Sequence, residues 1–396
     1  MNNSFIDSKK IGLAICYKVA NYGSALQAFA TQEKIKSLGY DCECLNYNKA
    51  KSFETVISYL HTIFIPYVIG MKFSNIRKKW LEKKEKKIFG ADFGKRLEKF
   101  DSFVRDNFIT SKPILGYQNL RSCACNYGAL LVGSDQVWHP VNLGSHFYTL
   151  EWGCKKQSRI AYAPSFGVSK IPTIQKRRTI KYLKEFSFLS CREQKGVDIV
   201  KNIANRDAKL VLDPTLLFTA VEWNQLLNKP KRVVEQKYIF CYFLGNNPGH
   251  RDFVNNLKSL TGLPIVFCPH IDEIIPTDRN FGDIRLYDVG PAEFFSLIRD
   301  AEYVCTDSFH GSVFSILNQK KFVTFNRFKK GKASTNSRID SLFSLLNLGD
   351  HRAYDDYSVN DLINDRTDFK QVLGHLAIYR EQSTNYLKNA LQESLK

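Results

Sequence analysis

The chain has 396 residues and carries 57 Lys and Arg against 39 Asp and Glu, a formal net charge of +18. This length exceeds the size at which single cores usually stop growing, so two domains are expected, and 44% hydrophobic residues supply ample core. The 10 cysteines include no Cys-x-x-Cys pair, and the polar start resembles no secretion signal. These features argue against a zinc site and favour free thiols in a reducing cytosol.

The chain opens with a strand, a helix and a second strand. Residues 11–17 are apolar and predict the first strand, and the turn 21–24 holds good helix-capping residues. Residues 25–38 carry apolar side chains at helical spacing, and a second strand is expected near 42–47. The pattern indicates a Rossmann-like unit without the full glycine fingerprint.

A basic insertion follows at about 51–110, where an apolar run at 56–73 precedes a lysine-rich cluster at 77–87. The run nearly reaches the length of a membrane span, but it contains His61 and Pro66, so no span is expected. An apolar stretch beside lysines fits an element that rests on anionic lipid, and the alternative is a solvated helical insertion. The cluster shows no recognised nucleic-acid-binding motif, so nucleic acid is not an expected partner.

Polar clusters follow the later apolar runs of the first half, beginning at Gly133, Pro164, Arg192 and Asp213. In open parallel sheets, ligands bind at the carboxyl ends of the strands. These clusters are therefore predicted to lie along one sheet edge and to face a ligand.

The second half repeats the alternation of strands and helices. Residues 222–236 are polar and basic, and they are predicted to link an N-terminal Rossmann-like domain (1–221, the acceptor side) to a C-terminal one (237–350, the donor side). Residues 351–396 are predicted to form a helical tail. The expected fold class is α/β, with two Rossmann-like domains facing a cleft and with C-terminal helices.

The segment 302–316 combines an anion site with an acid/base group. An apolar strand ends in a polar turn, a helix is predicted from Gly311, and His310 lies at the mouth of that helix. Helix N-termini attract anions, and imidazole exchanges protons near neutral pH. The alternative is a histidine satisfied by local backbone bonds.

Six motif blocks run along the chain in this order: Asn21-Tyr22-Gly23-Ser24 with Gln27, Gly133-Ser134-Asp135-Gln136-Val137-Trp138, Tyr162-Ala163-Pro164-Ser165-Phe166-Gly167, Cys191-Arg192-Glu193, Leu212-Asp213-Pro214-Thr215, and Thr306-Asp307-Ser308-Phe309-His310-Gly311-Ser312. In this order they resemble the polysaccharide pyruvyl transferase family, over roughly 11–348. The resemblance implies a fold like that of the two-domain GT-B glycosyltransferases. It also implies a bacterial enzyme that moves the pyruvyl group of phosphoenolpyruvate, a co-substrate, onto a sugar as a cyclic ketal, with no cofactor.

The resemblance further implies roles for single residues, with His310 as the acid/base group. Arginine suits the donor because its planar fork matches phosphate and carboxylate. The residues expected to bind the donor are Arg192, Ser308, Gly311, Ser312, Lys330 and Arg338. The residues expected to bind the saccharide acceptor, free or lipid-linked, are Asn21, Gly23, Gln27, Asp135, Gln136, Trp138 and Ser165.

One position departs from the family pattern. Several relatives carry arginine two positions before the histidine, where this chain has Ser308. The donor contact of that arginine is then expected from Lys330 or Arg338, and Arg327 and Lys329 compete with Lys330 for its place.

Several blocks have structural alternatives. Asp135 and Gln136 could cap the following turn, and Trp138 could belong to the core. Arg192 could form an ion pair with a neighbouring carboxylate, and 213–215 is typical of a turn. Two rival functions also stay open: a GT-B glycosyltransferase that uses a nucleotide sugar, and a non-catalytic sugar-binding protein of a polysaccharide assembly cluster.

The basic insertion generates the first prediction. We expect the chain to sediment with anionic liposomes at low salt and to be released at high salt, because each basic residue near such a surface contributes on the order of 1 kcal/mol. Weak binding would hold a cytoplasmic protein at the inner face of the membrane. Neutralising Lys78, Lys79, Lys83 and Lys84 should remove the sedimentation, and binding that survives these substitutions would indicate a solvated insertion instead.

Overall fold

The computed structural model describes residues 9–49, 93–270, 275, 278–327, 337–353 and 357–396. The apolar run and lysine cluster of the basic insertion lie outside these residues, and so does Lys330.

The strands are β1 (Ile11–Ala14), β2 (Cys42–Cys44), β3 (Tyr47–Asn48), β4 (Ile114–Leu115), β5 (Ala129–Val132), β6 (Ser158–Ala161), β7 (Ser190–Cys191), β8 (Lys209–Leu210), β9 (Ile239–Tyr242), β10 (Ile265–Phe267), β11 (Ile284–Arg285), β12 (Tyr303–Thr306), β13 (Lys321–Phe325) and β14 (Arg352–Ala353). The α-helices are α1 (Tyr22–Ser37), α2 (93–107), α3 (Gly116–Ala124), α4 (Thr173–Lys184), α5 (Gln194–Ala204), α6 (Ala220–Leu226), α7 (Pro248–Thr261), α8 (Pro291–Arg299), α9 (Phe309–Leu317), α10 (Ser337–Leu346), α11 (Val359–Ile363) and α12 (Phe369–Ser394). Short 3₁₀ helices lie at Leu143–Ser145, Pro214–Leu217 and Gly349–His351.

The strands form two larger parallel sheets, one in each half of the chain. The first sheet has the order β2-β1-β5-β6, and the second has the order β11-β10-β9-β12-β13-β14. Strands β1, β5 and β9 are buried at every position, because helices cover both faces of such sheets. The predicted α/β class with two Rossmann-like units is confirmed.

Two elements differ in their bounds from those predicted from the sequence. The strand expected near 42–47 is split into β2 and β3, and β3 leaves the first sheet to pair with β4. Helix α9 begins at Phe309 rather than at Gly311, because the Ser308 side chain accepts a hydrogen bond from the Gly311 N–H (3.3 Å) and so caps the helix. His310 therefore lies inside the first turn of the helix.

The two sheets share one continuous apolar core. The ring of Tyr22, at the start of α1, stacks on Phe294 of α8 with ring centroids 4.4 Å apart. The Tyr22 hydroxyl donates to the Val289 carbonyl at 2.9 Å. Trp223 of α6 packs edge-on to Phe314 of α9 at 5.2 Å. The contacts of Tyr22 hold the N-terminus of α1 against α8 of the second half.

Arg96 of α2 ties the first half of the chain to the second. Its side chain is buried, and it donates to the carbonyls of Pro269, Leu286 and Tyr287. These carbonyls follow strands β10 and β11, so one guanidinium satisfies three backbone acceptors at the end of the second sheet.

The C-terminal helix α12 returns to the first half, which confirms the predicted C-terminal helix. The Tyr386 hydroxyl donates to the carbonyl of Ala161 at 3.1 Å, and the Ser383 hydroxyl accepts from the N–H of Leu212 at 2.9 Å. The helix thereby braces the segment that leads from β8 to Pro214–Leu217. Among the described residues, no helix is both long and apolar enough to cross a membrane.

The expectation that the cysteines are free thiols was wrong for Cys125 and Cys154, which form a disulfide. The end of α3 and the turn before β6 bring their Cα atoms to 6.0 Å although they are 29 positions apart. This approach depends on tertiary structure, and Cys-x-x-Cys spacing does not reveal it.

We predict that Arg96→Met lowers the free energy of unfolding by about 2–4 kcal/mol, because three buried carbonyls lose a charged donor. Urea denaturation followed by circular dichroism measures the change. The matched control is Arg105→Met on the same helix, where the side chain is 70% exposed and bonds to Ser102 and Asp106 of its own helix. An Arg96 variant as stable as the control would contradict this role.

Candidate functional site

A cleft of about 540 Å³ lies at the carboxyl ends of strands from both larger sheets. Residues after β1 and β5 form one wall, and residues after β9, β12 and β13 form the other. The lining includes five of the residues predicted from sequence for contact with donor or acceptor, together with His310: Asn21, Asp135, Gln136, Ser308 and Arg338. Of the four polar clusters predicted to face a ligand, the one that begins at Gly133 lines this cleft, whereas Arg192 and Asp213 line a smaller cavity.

Two helix N-termini meet in this cleft. Asn21 caps α1 by accepting from the Ser24 N–H at 3.1 Å, and Ser308 caps α9. A Cβ atom at Gly23 would lie 2.0 Å from Nδ1 of His310, so the approach of the two helices requires glycine there. The positive ends of both helix dipoles thus face the same space, which favours an anion.

His310 is nearly enclosed by protein. Its side chain is 9% exposed, and its Nε2 atom is buried without a hydrogen-bond partner among the described residues. The nearest carboxylate oxygen to Nε2 is Oδ1 of Asp213, at 3.7 Å. Nδ1 lies against Gly23 of α1, and the His310 ring lines the cleft.

The Asp213 carboxylate lies close to side chains from four of the sequence motifs, its own included. Its oxygens accept from the Ser134 hydroxyl (2.8 Å), the Thr215 hydroxyl (2.6 Å) and the Arg192 guanidinium (2.5 Å). Burial alone would raise the pKa of this carboxyl, but Arg192 and His310 hold it far below its usual range. The predicted turn is present, since Asp213 also caps Pro214–Leu217, but sequence reasoning missed its contacts with the other motifs.

Arg192 and Arg338 flank the ring of Phe309, with guanidinium carbons 4.6 and 5.7 Å from its centroid. Arg192 lies behind this ring and lines a smaller cavity of about 180 Å³, whereas Arg338 lines both spaces. Burial and the neighbouring charge of Arg192 lower the pKa of Arg338 to about 9. A bound anion would relieve this repulsion.

Asp135 occupies a strained position in the cleft wall. Its φ of 79° lies in the left-handed region, and its carboxylate accepts from the Ser24 hydroxyl at 2.5 Å and from the Gln136 N–H at 2.8 Å. Burial would raise its pKa, but the charges of Arg192 and His310 lower it. Asp135 is therefore an ionised acceptor that faces the cleft.

Three other residues that were predicted to bind the saccharide acceptor lie behind the cleft lining. Gln27 is buried and donates to the carbonyl of Ser24 at 3.0 Å. Trp138 is fully buried among aromatic rings, which favours its alternative as a core residue. The Ser165 hydroxyl donates to Glu193 at 2.8 Å.

The residues of α9 that were predicted to bind the donor substrate are likewise buried. A Cβ atom at Gly311 would lie 2.6 Å from the Thr306 hydroxyl. Glycine at this position therefore allows α9 to lie close to β12, and it does not make room for a ligand. The Ser312 hydroxyl lies 2.7 Å from that of Thr324. Both residues seat α9 on the second sheet.

Sequence reasoning missed part of the cleft lining. Lys18 lies in the segment between β1 and α1, and its ammonium donates to the Tyr47 carbonyl at 3.1 Å. Burial lowers the pKa of Lys18. Arg327, proposed only as a competitor of Lys330, also lines the cleft. The position of Lys18 just after the first predicted strand was the available signal. Among the described residues, no group of three or more His, Cys, Asp and Glu is arranged as metal ligands.

Comparisons with known proteins show which family model the chain matches. A family model described as polysaccharide pyruvyl transferase matches residues 21–327. A comparison with curated protein sequences gave no match.

Solved structures resemble the chain only weakly. The UDP-GlcNAc 2-epimerase from Neisseria meningitidis is 10% identical, with 98% of each chain covered and a TM-score of 0.47. The UDP-GlcNAc 2-epimerase from Methanocaldococcus jannaschii is 8% identical, with 93% of this chain and 92% of that chain covered and a TM-score of 0.48. MurG from Acinetobacter baumannii is 7% identical, with 97% and 99% covered and a TM-score of 0.43. Likenesses of this degree say nothing about ligands.

The contact between Gly23 and His310 generates a paired prediction. Gly23→Ala should lower the free energy of unfolding by about 1–3 kcal/mol and displace the His310 ring, because the new Cβ overlaps Nδ1. Gly374→Ala on α12 is the control: its Cβ meets nothing within 4 Å, so higher helix propensity should stabilise by about 0.5–1 kcal/mol. Urea denaturation and a crystal structure measure both effects, and equal shifts of the same sign would contradict the contact.

Proposed function

Because the chain belongs to the polysaccharide pyruvyl transferase family, we propose that it transfers the pyruvyl group of phosphoenolpyruvate onto a saccharide as a cyclic ketal. The observation that carries the proposal is the position of His310 between two helix N-termini, beside Arg338 and in a cleft large enough for both substrates. A donor with a phosphate and a carboxylate needs cations and N–H groups at one place, next to a group that can move a proton.

The donor anions are proposed to bind where α1 and α9 meet. The free N–H groups of the first helical turns point there, and Arg338 and Arg327 line the same wall. Ser308 is occupied as the cap of α9, so the cation that relatives carry at this position is supplied from α10 by Arg338. Burial and the charge of Arg192 lower the pKa of Arg338, and an anion bound beside its guanidinium would offset both effects.

The chemistry assigned to His310 has two steps. In the first, one sugar hydroxyl forms a bond to the central carbon of the donor, His310 gives a proton to the methylene carbon, and the hydroxyl proton leaves to a base or solvent. In the second, the neighbouring hydroxyl bonds to the same carbon, the carbon–oxygen bond to phosphate breaks, and neutral His310 takes the second hydroxyl proton. Phosphate leaves, and the histidine regains the proton that it gave.

The acceptor is proposed to lie along the first-domain wall. Tyr47 and Phe147 stack with centroids 5.1 Å apart at the cleft, and they offer apolar faces to a sugar ring. Asp135 and Asn142 present polar groups to hydroxyls on the same wall.

The test of function is mass spectrometry of candidate saccharide acceptors incubated with phosphoenolpyruvate. We expect a product heavier by one pyruvic acid less one water, and calorimetry should show donor binding that weakens as salt rises. Transfer from a nucleotide sugar with no binding of phosphoenolpyruvate would identify a glycosyltransferase instead.

We predict that His310→Ala lowers kcat by about a hundred- to ten-thousand-fold with a small change in donor affinity, since it removes a general acid/base. Arg338→Met should mainly weaken donor binding, by about tenfold or more, because a charge-assisted contact is lost. Steady-state kinetics and calorimetry separate the two effects. His375→Ala on α12, away from the cleft lining, serves as the control. Full turnover in the His310 variant would rule out its assigned role.

A further inference from the structure

We infer that Asp213 is a positioning residue: its Oδ1 atom holds the Nε2–H of His310, so that proton exchange with the substrate takes place at Nδ1. The structural observations concern the histidine itself, and only the catalytic consequence rests on the proposed function.

The two ring nitrogens have different surroundings. Nε2 is buried, with Asp213 Oδ1 at 3.7 Å, whereas Nδ1 lies against Gly23 of α1, and the ring itself lines the cleft. An ionised carboxylate accepts but cannot donate, so it selects the neutral tautomer with the proton on Nε2. The lone pair on Nδ1 is then free to take a proton, and the imidazolium carries its transferable proton on Nδ1.

The surroundings of Asp213 keep its carboxylate ionised and fixed in position. Its side chain is fully enclosed, and three side chains besides the histidine donate to it: Ser134, Thr215 and Arg192. Such donors keep the pKa of Asp213 far below its usual range, so the carboxylate stays charged near neutral pH. A residue that only capped the next turn would need Thr215 alone.

Other charges face the histidine as well. Asp135 is the other carboxylate near the ring, and Arg192 and Arg338 are the nearby guanidiniums. The separation of 3.7 Å between Asp213 and His310 is longer than a hydrogen bond, and catalytic hydrogen bonds of this kind often shorten when ligands bind.

The test uses nitrogen NMR of the full-length protein labelled at histidine, with the His310 signals identified by their loss in His310→Asn. In the wild type we expect neutral His310 to carry its proton on Nε2. In Asp213→Asn the neutral ring should no longer keep its proton on Nε2 alone, because an amide side chain donates as well as accepts. For pyruvyl transfer, kcat should fall about tenfold or more while KM changes little.

Thr215→Val is the matched variant that keeps the carboxylate. It removes the hydroxyl that shares Oδ1 with His310 and keeps the side-chain shape, so the neutral ring should still carry its proton on Nε2. This variant and the wild type decide the question if Asp213→Asn does not fold, as judged by circular dichroism. A proton on Nδ1 in the neutral wild type or in Thr215→Val, or an unchanged tautomer in folded Asp213→Asn, would overturn the inference. If no pyruvyl transfer is detected, the NMR arms still decide it, and only the proposed function falls.

Discussion

The buried carboxylate of Asp213 organises the site, because a charge taken out of water must be matched by fixed partners. Removing an ion from water costs several kcal/mol, and this cost is offset only where donors surround it. Here Ser134, Arg192 and Thr215 supply the donors, and His310 lies at the open end. Each partner comes from a different motif, so the carboxylate sets the positions of all four segments relative to one another.

A second constraint is the close approach of α1 and α9. Gly23 and His310 belong to different halves of the chain, and no side chain fits between them. Tyr22 and Arg96 keep the halves in this relation, the first through the shared aromatic core and the second through the carbonyls at the end of the other sheet. The anion site therefore depends on how the two halves dock, as well as on either helix alone.

Much of the fold was predictable because its signals are local. Buried parallel strands appear in the sequence as short apolar runs. Asn21 and the polar turn at 306–312 predict where two helices begin. The end of β12 and the position of His310 followed from these signals. The strand break after Cys44 and the disulfide at Cys125 did not, since both depend on partners remote in the chain.

The sequence by itself determined the alternating strands and helices, the family and the set of polar residues at strand ends. Periodicity and motif order carry that information without any long-range contact. Only the tertiary structure decided which of those residues face the cleft. It left Trp138 and Ser165 in the interior, put Arg192 behind Phe309, and brought Asp213 under His310. The reason is that burial and pairing of charge depend on the summed packing of several segments, which no single segment specifies.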